Sequence, residues 1–178
     1  MTSLCVSCAT TRDAASNGHV DCLKRVHEHN LSTYDSVFDF LWDELTIRDA
    51  AKNGHLDCLK YAHENGCPWD KETTAHAAEN GHIHCLKYLF ENKCPWSTGS
   101  CYYAASNGHL DCLKYLHENG CPWNGETTFA AAQNGHLDCL KYAHENCCPW
   151  DEEITYFATA HGHLSCLKYA QENGCPTY

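Results

Sequence analysis

The chain has 178 residues, of which 43% are hydrophobic and 20% charged, and this composition excludes an intrinsically disordered protein. Its net charge of −11, without any cluster of Lys or Arg, makes nucleic-acid phosphates and anionic membrane surfaces unfavourable partners. No apolar run reaches the roughly 18 residues of a membrane span, and the first residues lack the basic and apolar regions of a signal peptide.

Internal repetition organises almost the whole chain. The triplet Asn-Gly-His begins at residues 17, 53, 80, 107 and 134, and the variant His-Gly-His begins at residue 161. The last four intervals are 27 residues each, which is the signature of a repeat array. We interpret residues 1–8 as a short lead and 9–178 as one cooperative repeat domain. The repeats are placed at residues 9–31, 43–69, 70–96, 97–123, 124–150 and 151–178, with an insertion at 32–42.

Each repeat reads as two helices joined by a tight turn. The first helix, for example residues 72–80, ends at Gly81, which suits the left-handed conformation of a helix stop. The second helix, about residues 82–92, is followed in most repeats by Gly and then Cys-Pro, which cannot continue a helix. Favoured N-cap residues share one position before the first helix: Asp70, Ser97, Asn124 and Asp151. The sequence therefore predicts an all-α solenoid of about six stacked helix–turn–helix repeats, without full β-hairpins.

The second helix is apolar around about two-thirds of its circumference, so it must be sandwiched between neighbouring repeats. Its lysine, Lys60 in the second repeat, shares a narrow polar stripe with Asp57 and Glu64. We expect this lysine to form a solvated ladder balanced by acids rather than a phosphate-binding track. The lysine recurs in every repeat: Lys24, Lys60, Lys87, Lys114, Lys141 and Lys168.

Two departures from the pattern carry their own expectations. The insertion has capping-box spacing at Ser32 and Asp35 followed by helical spacing of apolar residues, so the next first helix is expected to begin early. A structural plug and a partner-contact element both remain open for it. Lys93 and Cys147 replace the helix-ending Gly, and looser turns are expected there.

The fifteen cysteines and the spacing H-x2-C-x4-H-x3-C in residues 53–70 raise the question of metal binding. Zinc needs four ligands around one point, whereas His55 and Cys67 lie about 18 Å apart along a helical path. We therefore expect the cysteines to be buried packing residues in a reducing compartment, with no metal, no cofactor and no catalytic residues. The turn histidine is expected to bond neighbouring backbone. A metal-binding or thiol-redox protein using the Cys/His ladders is the alternative.

The units AAENGHIHCLKYLFEN and AASNGHLDCLKYLHENG resemble the ankyrin repeat through the Ala pair, the Gly-His turn and the terminal Gly. The resemblance covers residues from about 9 to 178. The period of 27 is shorter than the family's 33, and Cys-Pro-Trp stands where the family's hairpin begins. This Cys-Pro-Trp variant looks like arrays of giant viruses of amoebae. The resemblance implies a non-enzymatic protein-binding scaffold inside a cell, in the cytoplasm or nucleus, and in the host cell if the protein is viral.

The second helix barely changes between repeats, whereas the loop and first helix vary, as expected of a recognition face. The resemblance likewise implies contact through this face. The predicted partner is a protein with a neutral or basic surface, bound by a monomer. A capping fragment of a larger array is a third possibility. The candidate partner-binding residues are Arg48, Trp69, His76, Trp96, Tyr102, Tyr103, Trp123, Phe129, Trp150, Tyr156 and Phe157. For the tryptophans, covering the gap between stacked loops is the competing structural role.

Overall fold

The computed structural model describes residues 8–33, 42 and 44–176. These residues form twelve α-helices and no strand, which confirms the predicted all-α fold. The helices pair as first and second helix of each repeat. Their bounds are α1 Thr11–Ser16, α2 Val20–Thr33, α3 Glu44–Lys52, α4 Leu56–Glu64, α5 Lys71–Glu79, α6 Ile83–Glu91, α7 Thr98–Ser106, α8 Leu110–Glu118, α9 Gly125–Gln133, α10 Leu137–Glu145, α11 Glu153–Ala160 and α12 Leu164–Glu172.

The chain divides into two compact bodies. The N-terminal body comprises residues 1–77 and 84–95, and the C-terminal body comprises residues 78–83 and 96–178. Within the C-terminal body, first helices pack on first helices (α7 on α9 on α11), and α10 packs between α8 and α12. The N-terminal body repeats the pattern with α1 on α3 and α2 on α4. None of the described helices is both long and apolar enough to span a bilayer.

The helices end where the turn residues dictate. The Asn-Gly-His turns place glycine at positive φ, for example +73° at Gly108, and the following histidine N–H bonds the carbonyl of the first helix. Capping before the first helix is less uniform than predicted. Side chains of Asp70 and Asn124 accept backbone N–H groups, whereas Ser97 makes no side-chain cap.

Lys93 and Cys147 both adopt φ of +63°, so they occupy the left-handed region without being glycine. The turn bonds stay short, since the amide of Cys94 donates to Leu89 at 2.9 Å and that of Cys148 to Ala143 at 2.9 Å. The expected looser turns are therefore not seen in the hydrogen-bond geometry. Faster hydrogen exchange at these two turns stays a prediction, because the steric cost of left-handed backbone remains.

The core follows the repeat. Ala pairs of the first helices, such as Ala104 and Ala105, are fully buried and let the helices approach closely. Leucines of the second helices, such as Leu113 and Leu116, have no exposed surface. This burial confirms that the second helix is sandwiched, and it leaves the outer faces of the array to carry the variable residues.

The insertion behaves differently from the expectation. Helix α2 extends to Thr33, and α3 begins only at Glu44, after a non-helical Trp42. The sequence predicts that the next first helix begins early, within the insertion. This prediction is wrong at Trp42, because Trp42 is not helical and α3 begins only after it. Its indole N–H donates to the carbonyl of Asn65 at 2.7 Å, and this bond fixes the residue outside the helix. Residues 34–41 lie outside the described residues.

Candidate functional site

A recurring cluster at the repeat junctions uses the Cys-Pro-Trp tryptophan. We call it the aromatic clasp: the side chains of a Lys, a His and a Trp in one repeat contact the side chain of a Tyr in the next repeat. In the second repeat, Trp69 stacks on His63 with ring centroids 3.7 Å apart, and His63 Nδ1 lies 2.8 Å from the Tyr88 hydroxyl. The Lys60 ammonium lies 5.7 Å from the centroid of the Tyr88 ring. The clasp combines stacking, a hydrogen bond and a cation–π contact.

The clasp recurs at three further junctions, those after the first, fourth and fifth repeats. The His–Trp centroid distance is 3.9 Å for His117–Trp123 and 3.7 Å for His144–Trp150, and 4.3 Å in the first repeat, where His27 meets a buried Trp42. The lysine ladder thus has a role that the sequence analysis did not foresee: Lys24, Lys60, Lys114 and Lys141 each lie over a Tyr ring of the next repeat.

The clasp makes the N-terminal body sensitive to acid. Burial lowers the pKa of His27 and His63 from the ordinary 6.5, although Glu28 and Glu64 oppose the shift. The unfolded chain therefore takes up these protons first, so this stabilisation is present above pH of about 6.5 and is lost as pH falls through the folded-state values. We expect the urea midpoint to fall between pH of about 7.5 and 5.5. His63→Phe, which copies the residue at position 90, should reduce that fall. If the urea midpoint of His63→Phe falls with pH as steeply as that of the wild type, His63 is not a cause of the acid sensitivity.

Four turn histidines form a second junction contact, in which the ring packs against the glycine turn of the preceding repeat: His55, His109, His136 and His163. A Cβ on Gly18 would lie 2.6 Å from Nδ1 of His55, and one on Gly108 would lie 2.5 Å from Nδ1 of His136. His55 Nε2 also lies 3.1 Å from the carbonyl of Ser16. The expected bond to backbone is thus present, and it reaches the preceding repeat rather than the histidine's own turn.

The cysteines form two ladders: Cys22, Cys58, Cys85, Cys112, Cys139 and Cys166 on the second helices, and Cys67, Cys94, Cys121, Cys148 and Cys175 before the prolines. All of them except the half-buried Cys22 are buried, which confirms that they pack as small apolar residues. In the Cys-Pro-Trp ladder, thiols lie near the backbone carbonyl of the residue that begins the same repeat. For example, Cys148 Sγ is 3.2 Å from the carbonyl oxygen of Asn124, the N-cap of α9. In the second-helix ladder, burial is the largest cause that raises the pKa of Cys112 and Cys139 to about 12. Neutral, enclosed thiols are poor nucleophiles, so these ladders do not form a reactive thiol site.

On the first-helix face of the N-terminal body, the side chains form ion pairs. Arg12 Nε lies 2.6 Å from Asp49, and Arg48 donates two hydrogen bonds to Asp70, the shorter at 2.6 Å. Burial alone would raise the pKa of Asp70, but hydrogen bonds from Arg48, Thr73 and Glu72 lower it below its ordinary value. Asp70 also caps α5, the first helix of the third repeat. The candidate Arg48 therefore links the second repeat to the third.

The corresponding face of the C-terminal body is aromatic. Phe129 and Phe157 meet edge to face with centroids 4.9 Å apart, and Tyr156 contacts Phe157 at 5.0 Å. Tyr102 and Tyr103 form a similar pair at 5.2 Å. We call these five residues on α7, α9 and α11 the aromatic face. Tyr156 is 58% exposed and Tyr103 37% exposed, so the face presents apolar surface to solvent.

The predicted candidates therefore fall into two groups. Trp69, Trp123 and Trp150 lie in clasps, where they stack on histidine. Trp96 and His76 are half-buried, and Arg48 lies in its ion pair. Among the described candidates, Phe129, Tyr156 and Phe157 form one group of contacting rings and Tyr102 and Tyr103 form another, and Tyr103 and Tyr156 are their exposed members. The clasp partners Lys60, His63 and Tyr88 were missed by the sequence analysis, although the constant spacing of 25 residues between His63 and Tyr88 was a usable signal.

Two of three comparisons with known proteins support this architecture. A search of curated proteins gave no significant match. Among solved structures, the chain is similar to the ankyrin repeat domain of human ASB11, with a TM-score of 0.76 and 17% identity, covering 94% of this chain and 85% of that chain. At that identity the similarity shows the fold alone. The family model for three copies of the ankyrin repeat matches residues 47–124 and 101–177. Since these matches span most of the sequence, the chain belongs to the ankyrin-repeat family.

Proposed function

We propose that this protein is a non-enzymatic scaffold that binds a partner protein through the aromatic face of its C-terminal body. Ankyrin repeats are generally protein–protein interaction modules. The observation that carries the proposal is the exposure of Tyr156 beside Phe129 and Phe157. Aromatic residues that remain exposed on a rigid helical surface are favoured anchors of protein interfaces.

The charges around the aromatic face favour a basic partner. Helices α7, α9 and α11 contain no Lys or Arg, whereas Glu126, Asp151 and Glu153 are exposed at or next to the N-terminal ends of α9 and α11. The second-helix lysines Lys114 and Lys141 lie over Tyr rings in the clasps. An exposed apolar centre with an acidic rim fits a partner that combines apolar side chains with Lys or Arg.

The proposal also covers the oligomeric state and the cellular location. The protein acts as a monomer inside a cell, where a reducing environment keeps its thiols free. If the Cys-Pro-Trp variant places it among arrays of giant viruses, that cell is the host. The thiol-redox alternative has less support, because burial raises the pKa of the ladder thiols.

The test is site-specific photocrosslinking in an extract of cells that express the protein. A photoreactive residue at position 156 should capture one protein, and the same residue at position 164 should not. Leu164 is a matched control because it is 71% exposed on α12, outside the aromatic face. Replacing Tyr103 and Tyr156 with Ser should weaken binding of the captured protein by at least about tenfold, and added salt should weaken it further. Equal capture at both positions, or unchanged affinity of the double variant, would refute this face as the interface.

A further inference from the structure

Three metal-ligating side chains meet at the start of the array, away from the aromatic face and the clasps. One ligand atom from each of Cys8, His19 and Cys22 lies within 4.8 Å of the other two. The Cys8 sulfur is 3.0 Å from Nδ1 of His19. Among the described residues, no other group of three potential ligands satisfies this separation.

Local structure explains why these three residues converge. His19 follows the glycine turn that ends α1, and Cys22 lies in the first turn of α2. Cys8 precedes α1, whose N-terminus is fixed by a capping box between Thr10 and Asp13. The short α1 therefore brings both of its flanking segments to the same place.

The first repeat differs here from the later ones. The ring of His55 packs against the glycine turn of the preceding repeat, whereas the corresponding His19 ring faces the thiol of Cys8. The pair His-x2-Cys occurs in every repeat, and among the described residues only the pair of the first repeat has a second cysteine whose sulfur lies within 4.8 Å of both ligand atoms. Cys8 lies before the first repeat, so this combination of ligands is neither within one repeat nor along one ladder.

We propose that Cys8, His19 and Cys22 bind a zinc ion. Zinc holds Cys sulfur at about 2.3 Å and His nitrogen at about 2.0–2.1 Å, which places tetrahedral ligand atoms roughly 3.5–3.8 Å apart. Separations between 3.0 and 4.8 Å reach that geometry with small rotations of the side chains. Thiolate and imidazole ligands select zinc over magnesium or calcium. On binding, the two thiols lose their protons, and the two thiolate charges balance the charge of the ion.

The metal would tie the segment before α1 to the start of α2 and thereby stabilise the first repeat.

Cobalt titration of the reduced full-length protein is the experiment. Co²⁺ in a tetrahedral thiolate site gives intense visible bands and a thiolate charge-transfer band, whose intensity counts the sulfur ligands. We expect one equivalent to bind with two thiolates, and Zn²⁺ should displace it. Cys22→Ser and His19→Ala should weaken binding at least about 100-fold. Cys147→Ser is the matched control, because Cys147 is an exposed thiol far along the sequence, and it should bind as the wild type does.

A second readout does not depend on a variant that folds. Zn²⁺ should slow alkylation of Cys22 in the wild-type protein and leave the alkylation rate of Cys147 unchanged, as followed by peptide mass spectrometry. Absence of tetrahedral bands, bands that persist in Cys22→Ser, or equal alkylation rates of Cys22 with and without Zn²⁺ would each overturn the proposal. Equal loss of the bands in Cys147→Ser would overturn it as well.

Discussion

Replacing Gly108 with Ala is expected to lower the free energy of unfolding by about 2–5 kcal/mol, because two costs add. The backbone at Gly108 has a φ of +73°, where a Cβ costs about 1–2 kcal/mol. The added Cβ would also lie 2.5 Å from Nδ1 of His136, so the ring of the next repeat must move from its packed position. Overpacking of this kind costs roughly 1–3 kcal/mol.

Gly162 provides a matched control for the first of these costs. Its φ is +75°, but no atom lies within 4 Å of the position that a Cβ would take. Gly162→Ala should therefore cost only about 1–2 kcal/mol. Urea unfolding followed by circular dichroism measures both variants. Equal losses of stability would show that the histidine contact adds nothing to the requirement for glycine.

The reverse substitution tests the same backbone argument. Cys147→Gly should raise stability by about 1 kcal/mol, because Cys147 already adopts φ of +63° and glycine accepts that conformation without a steric cost. Its thiol is exposed, so the substitution removes no buried contact.

Replacing Tyr142 with Ala should cost about 2–3 kcal/mol, since it opens the clasp between the fourth and fifth repeats. Tyr142 loses the 2.9 Å contact of its hydroxyl with His117 Nδ1, the edge contact with Trp123 and the lysine over its ring. Tyr142→Phe should lose only the hydroxyl bond, about 1 kcal/mol. The measurement is again the urea midpoint at neutral pH.

Tyr103→Ala is the control for the clasp variant. Tyr103 is 37% exposed and its described ring contact is with Tyr102, so its removal should change stability by less than about 1 kcal/mol. If Tyr142→Ala and Tyr103→Ala lower the free energy of unfolding equally, the clasp stabilises the array no more than the exposed Tyr103 does. If Tyr142→Ala is neutral, the stacked rings contribute no net stabilisation.

The fold could be predicted from the sequence because its strongest signals are local. Glycines such as Gly81 mark left-handed turns, and Cys-Pro marks the end of a helix, so the period of 27 translates directly into helix pairs. The insertion could not be predicted in the same way. Trp42 is fixed outside α3 by a hydrogen bond to Asn65, 23 residues away, and helical spacing contains no information about such a bond.

The sites were predicted less completely, because they depend on which residues of different repeats meet. Lys60 was assigned to acids of its own helix, whereas its ammonium lies over Tyr88 of the next repeat. The aromatic face was predicted because Tyr102, Phe129 and Phe157 lie at variable positions of the first helix, whereas the second helix barely changes, and its role in binding stays a prediction. Cys8 was missed, because residues before the array were treated as a lead and only ligands within a repeat or ladder were compared.

The clasps that begin in the second, fourth and fifth repeats have a consequence for how the array can change in length. These three clasps use the same residue types at the same offsets, so loss of codons 124–150 would bring Tyr169 to the sequence offset from Lys114, His117 and Trp123 that Tyr142 now occupies. A deletion or duplication of 27 codons between such repeats would therefore preserve the clasp at the junction that it creates. Evolution can then change the number of repeats and the first-helix residues independently, which gives such a gene a simple route to new partners.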